Sequence, residues 1–255
     1  MRIVQIPLLR DNYAYLIVCE KTNEAAVIDP SEAEPVLRQV EREQVRLTAI
    51  LNTHHHWDHT GGNSVLAQRL PLKIYGHRLD QGRIPGLTHP LDEGDEVMIG
   101  ELGAEVLFIP GHTKGHIAYL FGDGLFCGDT LFVAGCGRLF EGTAEEMCSS
   151  LDKLKRLSEK TLVYCGHEYT EKNLQFALTI EPGNKRVSDK LSRVRSLRAR
   201  GVSTVPSTIG EEIETNPFLR WDSKEIWENL KKHFPGVSQD PVSVFRQTRE
   251  LKDHF

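Results

Sequence analysis

The sequence predicts an α+β protein, a sheet-based core with helices outside it, followed by a second, helical unit. Three observations carry that expectation. Apolar, strand-like runs that end in a glycine and then a potential ligand occur three times: Glu105 to Pro110 before Gly111-His112, Leu125 to Cys127 before Gly128-Asp129, and Thr161 to Cys165 before Gly166-His167. Another such run, Ala49-Ile50-Leu51, opens onto Thr53-His54-His55-His56-Trp57-Asp58-His59-Thr60. After His167 the strand-like runs stop and helical periodicity takes over, which divides the chain into residues 1–167 and 168–255.

Taken in order, Ile3 to Ile6, Tyr13 to Val18 and Ala25 to Ile28 read as strands, with turns at Asp11-Asn12 and Lys21 to Glu24. Ser31 is placed to cap a helix reaching about Glu43, with Pro35 in its first turns, where proline is tolerated. Asn63 to Leu70 is a short helix and Lys73 to Tyr75 a strand, whereas Gly76 to Asp95, rich in Gly, Pro and charge, reads as loop. Strands and glycine turns alternate from Val97 to Phe126. Thr143 to Leu157 is helical, with Ala144, Met147, Leu151 and Leu154 on one face. Helices follow over Glu171 to Ile180, Ser188 to Arg200, Ser223 to His233 and Asp240 to Lys252, separated at Pro182-Gly183, Thr204 to Pro217 and Pro235-Gly236.

A bare run of three histidines is most often a surface feature that binds metal weakly. Here the run sits at a strand's carboxyl end, and side chains gathered at such ends share one crevice. In extended backbone, His54 and His56 face one way and His55 the other. Once the chain turns, Asp58 and His59 face a second position. With the three glycine-led residues His112, Asp129 and His167, the donors suffice for two ions, and nitrogen and oxygen ligands without thiolate suit zinc, iron or manganese. Asp29, ending the run 25–28, either orients one of the ligand imidazoles or caps the following turn. His116 is expected to be a hydrogen-bonded structural residue.

Composition excludes several classes. Lys plus Arg is 31 and Asp plus Glu is 36, so 31 minus 36 leaves a net charge of −5 and no general attraction to nucleic acid or anionic membrane. No apolar run approaches the roughly 20 residues of a membrane span. Five cysteines, odd in number and without a CxxC pair, suit a reducing compartment and a cytoplasmic protein; a monomer is a separate expectation.

The loop His54-x-His56-x-Asp58-His59, with Gly111 to His116, Gly128-Asp129 and Gly166-His167, resembles the metallo-β-lactamase superfamily. The stretches Phe132 to Thr143, Tyr164 to Thr170, Thr215 to Arg220 and Arg249 to Asp253 resemble, within it, the glyoxalase II family of hydroxyacylglutathione hydrolases. The resemblance implies an αββα sandwich with a C-terminal helical domain, residues 1–167 being catalytic and 168–255 substrate-binding. It implies one ion on His54, His56, His112 and Asp129, and a second on Asp58, His59, His167 and Asp129, zinc being the leading expectation. Asp58 and Asp129 would be the catalytic carboxylates, and Arg138, Phe140, Tyr169, Arg249 and Lys252 the residues that meet a glutathione thioester. Phe140 lacks the hydroxyl of the tyrosine found in some relatives. Arg249 and Lys252, three apart on a terminal helix, could grip one carboxylate together.

The expected reaction is hydrolysis of S-(2-hydroxyacyl)glutathione, notably S-D-lactoylglutathione, as the second step of methylglyoxal detoxification, with no protein nucleophile. The rival enzyme class is a mononuclear iron dioxygenase of glutathione persulfide, which the full two-metal ligand set speaks against. A nuclease lacks its basic aromatic surface here, and a purely structural metal module would favour four tight ligands on a closed ion.

Overall fold

The computed structural model describes all of residues 1–255 and divides into two compact units, residues 1–108 with 114–128, and residues 109–113 with 129–255. The first unit opens with β1 (Arg2–Leu8), β2 (Asn12–Cys19) and β3 (Glu24–Ile28), paired antiparallel in that order. Helix α1 (Ala33–Glu43) then carries the chain back so that β4 (Arg46–Leu51) lies parallel to β3. After the short α2 (Trp57–Thr60) and α3 (Asn63–Arg69), β5 (Lys73–His77) and β6 (His89–Leu91) extend the parallel part of the sheet. The hairpins β7 (Glu96–Ile99), β8 (Leu102–Phe108), β9 (Ile117–Phe121) and β10 (Gly124–Gly128) pair antiparallel.

The central strands are apolar without alternation because both faces are covered. Every residue of β2 is buried, and Leu16, Val27 and Ile50 pack with Val36 of α1 and Leu66 of α3. Each such aliphatic side chain stabilises the fold by roughly 1.5 to 3 kcal/mol on burial. In the parallel pair of β3 and β4, Val27 lies opposite Ile50 and Ile28 opposite Leu51. Consequently Asp29 and Thr53 leave the sheet side by side, the Asp29 amide donating to the Leu51 carbonyl at 3.1 Å.

The second unit holds the pair β11 (Leu131–Phe132) and β12 (Gly135–Cys136), then α4 (Ala144–Lys155) and β13 (Leu162–Cys165). It continues through α5 (Thr170–Ile180), α6 (Lys185–Ala199), β14 (Ser207–Thr208), α7 (Ile209–Thr215), α8 (Lys224–His233) and α9 (Pro241–Asp253). The compact units therefore do not divide at residue 167. Residues 129–167 belong with the helices because buried polar groups tie them there. Asn216 Nδ2 donates to the carbonyls of Phe132 (3.1 Å) and Gly135 (2.9 Å), and the Ala134 amide donates to Glu212 Oε2 at 2.6 Å. Lys190 Nζ meets Glu212 Oε1 at 2.9 Å, and Ser207 donates to the same oxygen at 2.7 Å.

Glu212 is fully buried, so its carboxylate holds both the β11–β12 turn and the Lys190 ammonium. Replacing it by glutamine leaves Lys190 without its closest compensating charge. We expect Glu212→Gln to cost about 3 to 5 kcal/mol of stability, measured by urea unfolding. A loss below about 1 kcal/mol would contradict this account of the network.

Elsewhere the structure corrects the reading in detail. Ser31 does not cap α1: Glu32 occupies the N-cap without a side-chain bond, and Ser31 Oγ donates instead to the Asp58 carbonyl. The stretch 76–95 contains a one-turn 3-10 helix at Arg78–Asp80 and strand β6. The 204–217 separator contains β14 and α7, whose N-cap Thr208 accepts from the Glu211 amide, a Thr-x-x-Glu start signal masked by the flanking Pro206, Gly210 and Pro217.

Candidate metal centre

Each unit carries its own set of donors. In the first, the turn after β4 places the His54 ring 4.6 Å from that of His56 and 4.2 Å from that of His59, with His54 Nε2 3.1 Å from His56 Nδ1. His55 points away as expected, its Nδ1 3.2 Å from the buried Asp80. Asp58 Oδ2 lies 3.8 Å from His59 Nε2 and accepts from Asn12 Nδ2 at 3.1 Å. Asn12 also donates to the Asp58 carbonyl at 3.0 Å. His116 is fully buried and stacks on His54 at 4.6 Å, so what ties it to this set is a ring contact.

Asp29 organises this set. Its Oδ1 accepts from the Thr53 amide at 2.8 Å, and its Oδ2 from Thr53 Oγ1 at 2.6 Å and from His59 Nδ1 at 3.0 Å. Because the Thr53 hydroxyl donates to the carboxylate, Thr53 Oγ1 accepts the Nδ1 proton of His54, 3.1 Å away. Both imidazoles thus carry their protons on Nδ1 and present the Nε2 lone pair, the form that binds a metal. Asp29 does this from a left-handed backbone conformation, φ 51°, uncommon for a residue with a side chain and of the kind found where function requires it. Of its two alternatives, the imidazole-orienting one is the one observed. Asp29→Asn keeps the shape and removes the charge. We expect it to weaken metal binding about 10- to 100-fold, read by competition with a chelator; unchanged affinity would contradict the role.

In the second unit, His112 and His167 converge on Asp129. Its Oδ2 lies 3.6 Å from His112 Nε2 and 3.3 Å from His167 Nε2, all three residues being buried. His112 Nδ1 donates to the Arg138 carbonyl at 2.8 Å, which again leaves the lone pair on Nε2. One carboxylate oxygen faced by two imidazoles is poor packing for a metal-free core and apt for a bridging ligand. Glycine is required beside it. A Cβ on Gly137 would lie 2.0 Å from the Asp129 carbonyl oxygen and 2.9 Å from His112 Nδ1. In the first unit, Gly128 turns at φ +47°, and a Cβ there would meet Thr53 Oγ1 at 2.3 Å. The donors present, neutral imidazoles and carboxylates, fit a divalent ion.

Beside Asp129 and His112 the second unit opens a cavity of about 450 Å³, and Arg138, Phe140, Tyr169, Arg249 and Lys252 all line it. Tyr169 stacks on His167 at 4.7 Å with the rings 4° apart, and Phe140 meets the His112 ring edge-on at 5.2 Å. The two C-terminal cations differ. The guanidinium of Arg249 is already engaged, donating to the Cys136 carbonyl at 2.9 Å and to Asp253 Oδ1 at 3.1 Å, over the Phe218 ring. It therefore braces the β12 turn, and the shared grip expected of Arg249 and Lys252 falls mainly to Lys252. Lys252 Nζ lies between the rings of Phe176 and Phe255, 5.0 Å from each, without a hydrogen-bond partner. Burial, and then the neighbouring Arg249, lower its ammonium to about 8.

Cys136, in the same cavity wall, is pushed up to about 11 by burial, so it is a thiol and no nucleophile at neutral pH. Asn12 and Thr53 carry no distinguishing mark in the sequence, and neither does Lys172, which also lines the cavity.

Comparison with known proteins places these features. Residues 9–167 match the family model of the metallo-beta-lactamase superfamily, and residues 168–255 match that of the hydroxyacylglutathione hydrolase C-terminus. The chain is 52% identical over 258 residues to the hydroxyacylglutathione hydrolase of Synechococcus sp. (strain JA-2-3B'a(2-13)), covering 100% of both chains. It is 52% identical over 253 residues to that of Rhodospirillum rubrum, covering 98% of this chain and 97% of the relative. Among solved structures it is similar to ETHE1 from Myxococcus xanthus, with TM-score 0.69, 27% identity and 98% and 99% of the two chains covered. It is also similar to TTHA1623 in a di-iron-bound form, with TM-score 0.62, 28% identity and 86% and 100% covered.

Proposed function

Because this chain belongs to the metallo-β-lactamase superfamily and, within it, to the hydroxyacylglutathione hydrolases, with their mixed α and β fold and C-terminal helical region, we infer that it hydrolyses S-(2-hydroxyacyl)glutathione, notably S-D-lactoylglutathione, to glutathione and the 2-hydroxy acid. It is a metal-dependent hydrolase acting in the second step of methylglyoxal detoxification. The observation that carries the mechanism is the single Asp129 oxygen facing the Nε2 atoms of His112 and His167.

We propose His54, His56, Asp58, His59, His112, Asp129 and His167 as ligands of two ions, zinc before iron or manganese, with Asp129 serving both. When bound, such ions lower the pKa of a water from about 15.7 to roughly 7, which supplies hydroxide at neutral pH. The protein's part is to hold the donors in order. Asp29 and Thr53 orient His54 and His59, the Arg138 carbonyl orients His112, and Asn12 fixes Asp58. Asp58 and Asp129 are the catalytic carboxylates: as ligands of the ions they would hold the attacking water in place, its proton passing to solvent. The departing glutathione thiolate is stable enough to leave without a proton donor, and Cys136, a thiol at neutral pH, offers no competing nucleophile.

The substrate's glutathione portion, anionic overall, is assigned to the cavity, where Lys252 and Arg138 supply positive charge and Tyr169 and Phe140 wall the approach to the metal ligands. Residues 1–167 are proposed as the catalytic part, which also lends Arg138 and Phe140 to the cavity, and 168–255 as the substrate-binding part. The protein is proposed to act as a cytoplasmic monomer with no nucleic-acid or membrane partner; no helix is long and apolar enough to cross a membrane. The test is direct: metal-loaded protein is given S-D-lactoylglutathione while thioester loss and free thiol are followed. Stoichiometric thiol release is expected. Its absence, with glutathione persulfide oxidised instead by iron-loaded protein, would overturn the assignment in favour of the dioxygenase.

A further inference from the structure

The cavity beside Asp129 holds a cation that the assignment above leaves without a task. Lys172 is the third residue of α5, exposed, and lines the cavity together with Lys252. Its position is unfavourable twice over. A positive charge in the first turn opposes the helix dipole, and the positive charge of Lys252 lies close enough that Lys172 helps to lower the Lys252 ammonium.

Nothing in the chain offsets this. On the neighbouring α6, Arg186, Lys190, Arg193, Arg195 and Arg198 each face a carboxylate within 4.0 Å, as expected of a solvated, charge-paired helix. Glu171, directly before Lys172, is taken by Arg195 at 3.3 Å. Lys172 enters no ion pair, and Lys252 Nζ has no hydrogen-bond partner. Two uncommitted ammonium groups in one cavity, beside an Arg249 guanidinium already held by Asp253 at 3.0 Å, form a receptor for negative charge brought from outside.

We propose that Lys172 is a specificity-determining residue that receives one of the two carboxylates of the glutathione moiety while Lys252 receives the other. The inference rests on the glutathione-thioester reading and adds to it the division of labour between the two lysines. It makes the cavity selective for a dicarboxylate, because a ligand with one carboxylate leaves one ammonium uncompensated and the two cations repelling each other.

The experiment measures calorimetric Kd values for S-hexylglutathione, a non-hydrolysable thioether, and for its glycine monoethyl ester, on the metal-loaded protein. Wild type is compared with Lys172→Ala, Lys172→Glu, Lys172→Arg and Lys252→Ala. Lys172→Ala is expected to weaken binding of the diacid about 5- to 10-fold, Lys172→Glu further, and Lys172→Arg to restore most of it. For the monoester, one of the two alanine effects disappears and the other persists, each lysine answering to its own carboxylate. Diacid affinity unchanged in both Lys172→Ala and Lys172→Glu, or the two alanine effects vanishing or persisting together on the monoester, overturns the proposal. Wild-type protein that hydrolyses the thioester while its affinity ignores Lys172 removes this inference alone. Wild-type protein that neither hydrolyses the thioester nor binds S-hexylglutathione removes the parent reading with it.

Discussion

Replacing Asp129 by alanine is expected to lower turnover of S-D-lactoylglutathione by at least about three orders of magnitude. The carboxylate is buried, and one of its oxygens faces His112 Nε2 at 3.6 Å and His167 Nε2 at 3.3 Å. Its removal leaves two imidazole lone pairs with no anion between them, so metal retention should fall along with activity. The measurement is kcat beside metal content per chain. A variant that keeps its full metal content and more than about a tenth of the activity would show that Asp129 does not have the role given to it. A variant that loses metal but regains activity in excess metal would reduce the role to affinity alone.

The second large effect is on substrate binding. The double variant Arg249→Ala with Lys252→Ala should raise KM for a glutathione thioester roughly 10- to 100-fold, the scale of one or two charge-assisted contacts in a partly dry cavity, and leave a small neutral thioester largely unaffected. Lys252 should carry most of this. Arg249 acts through the backbone, since its guanidinium holds the Cys136 carbonyl.

A pH dependence follows with a definite sign. The Lys252 ammonium is lowered from 10.5 to about 8, so its charge is present below pH 8 and is lost as pH rises through that value. KM for the glutathione thioester is therefore expected to rise on the alkaline side, a bound carboxylate shifting the midpoint upward, and the rise should be absent in Lys252→Ala. Equal KM increases for charged and neutral thioesters would contradict a binding role for either residue.

What the sequence made legible was what is local in the chain. The proposed ligands His54, His56, Asp58 and His59 lie within six residues, and their strand-end setting follows from the apolar run before them. The glycines before His112 and Asp129 mark backbone with positive φ, a requirement visible in one residue. The role of Asn12 is not visible in the sequence, because its partner Asp58 is 46 residues away and an asparagine in a turn has an ordinary explanation. The state of Arg249 was hidden for the same reason, since the carbonyl it holds lies 113 residues earlier. Helix α7 is hidden in the sequence because proline and glycine dominate its surroundings, although Thr208 and Glu211 carry a start signal. The grouping of residues 129–167 with the C-terminal helices depends on buried bonds from Asn216 and Glu212, which have no periodic trace.

The central claim is that thioester hydrolysis depends on two ions held by seven side chains of this one chain. Titrating zinc into metal-stripped protein while recording bound metal per chain and S-D-lactoylglutathione turnover on the same samples tests it most directly. Activity should climb to a plateau at two equivalents, with little reached at one. A plateau at a single equivalent, or a fully loaded two-metal protein that releases no thiol, would contradict the account.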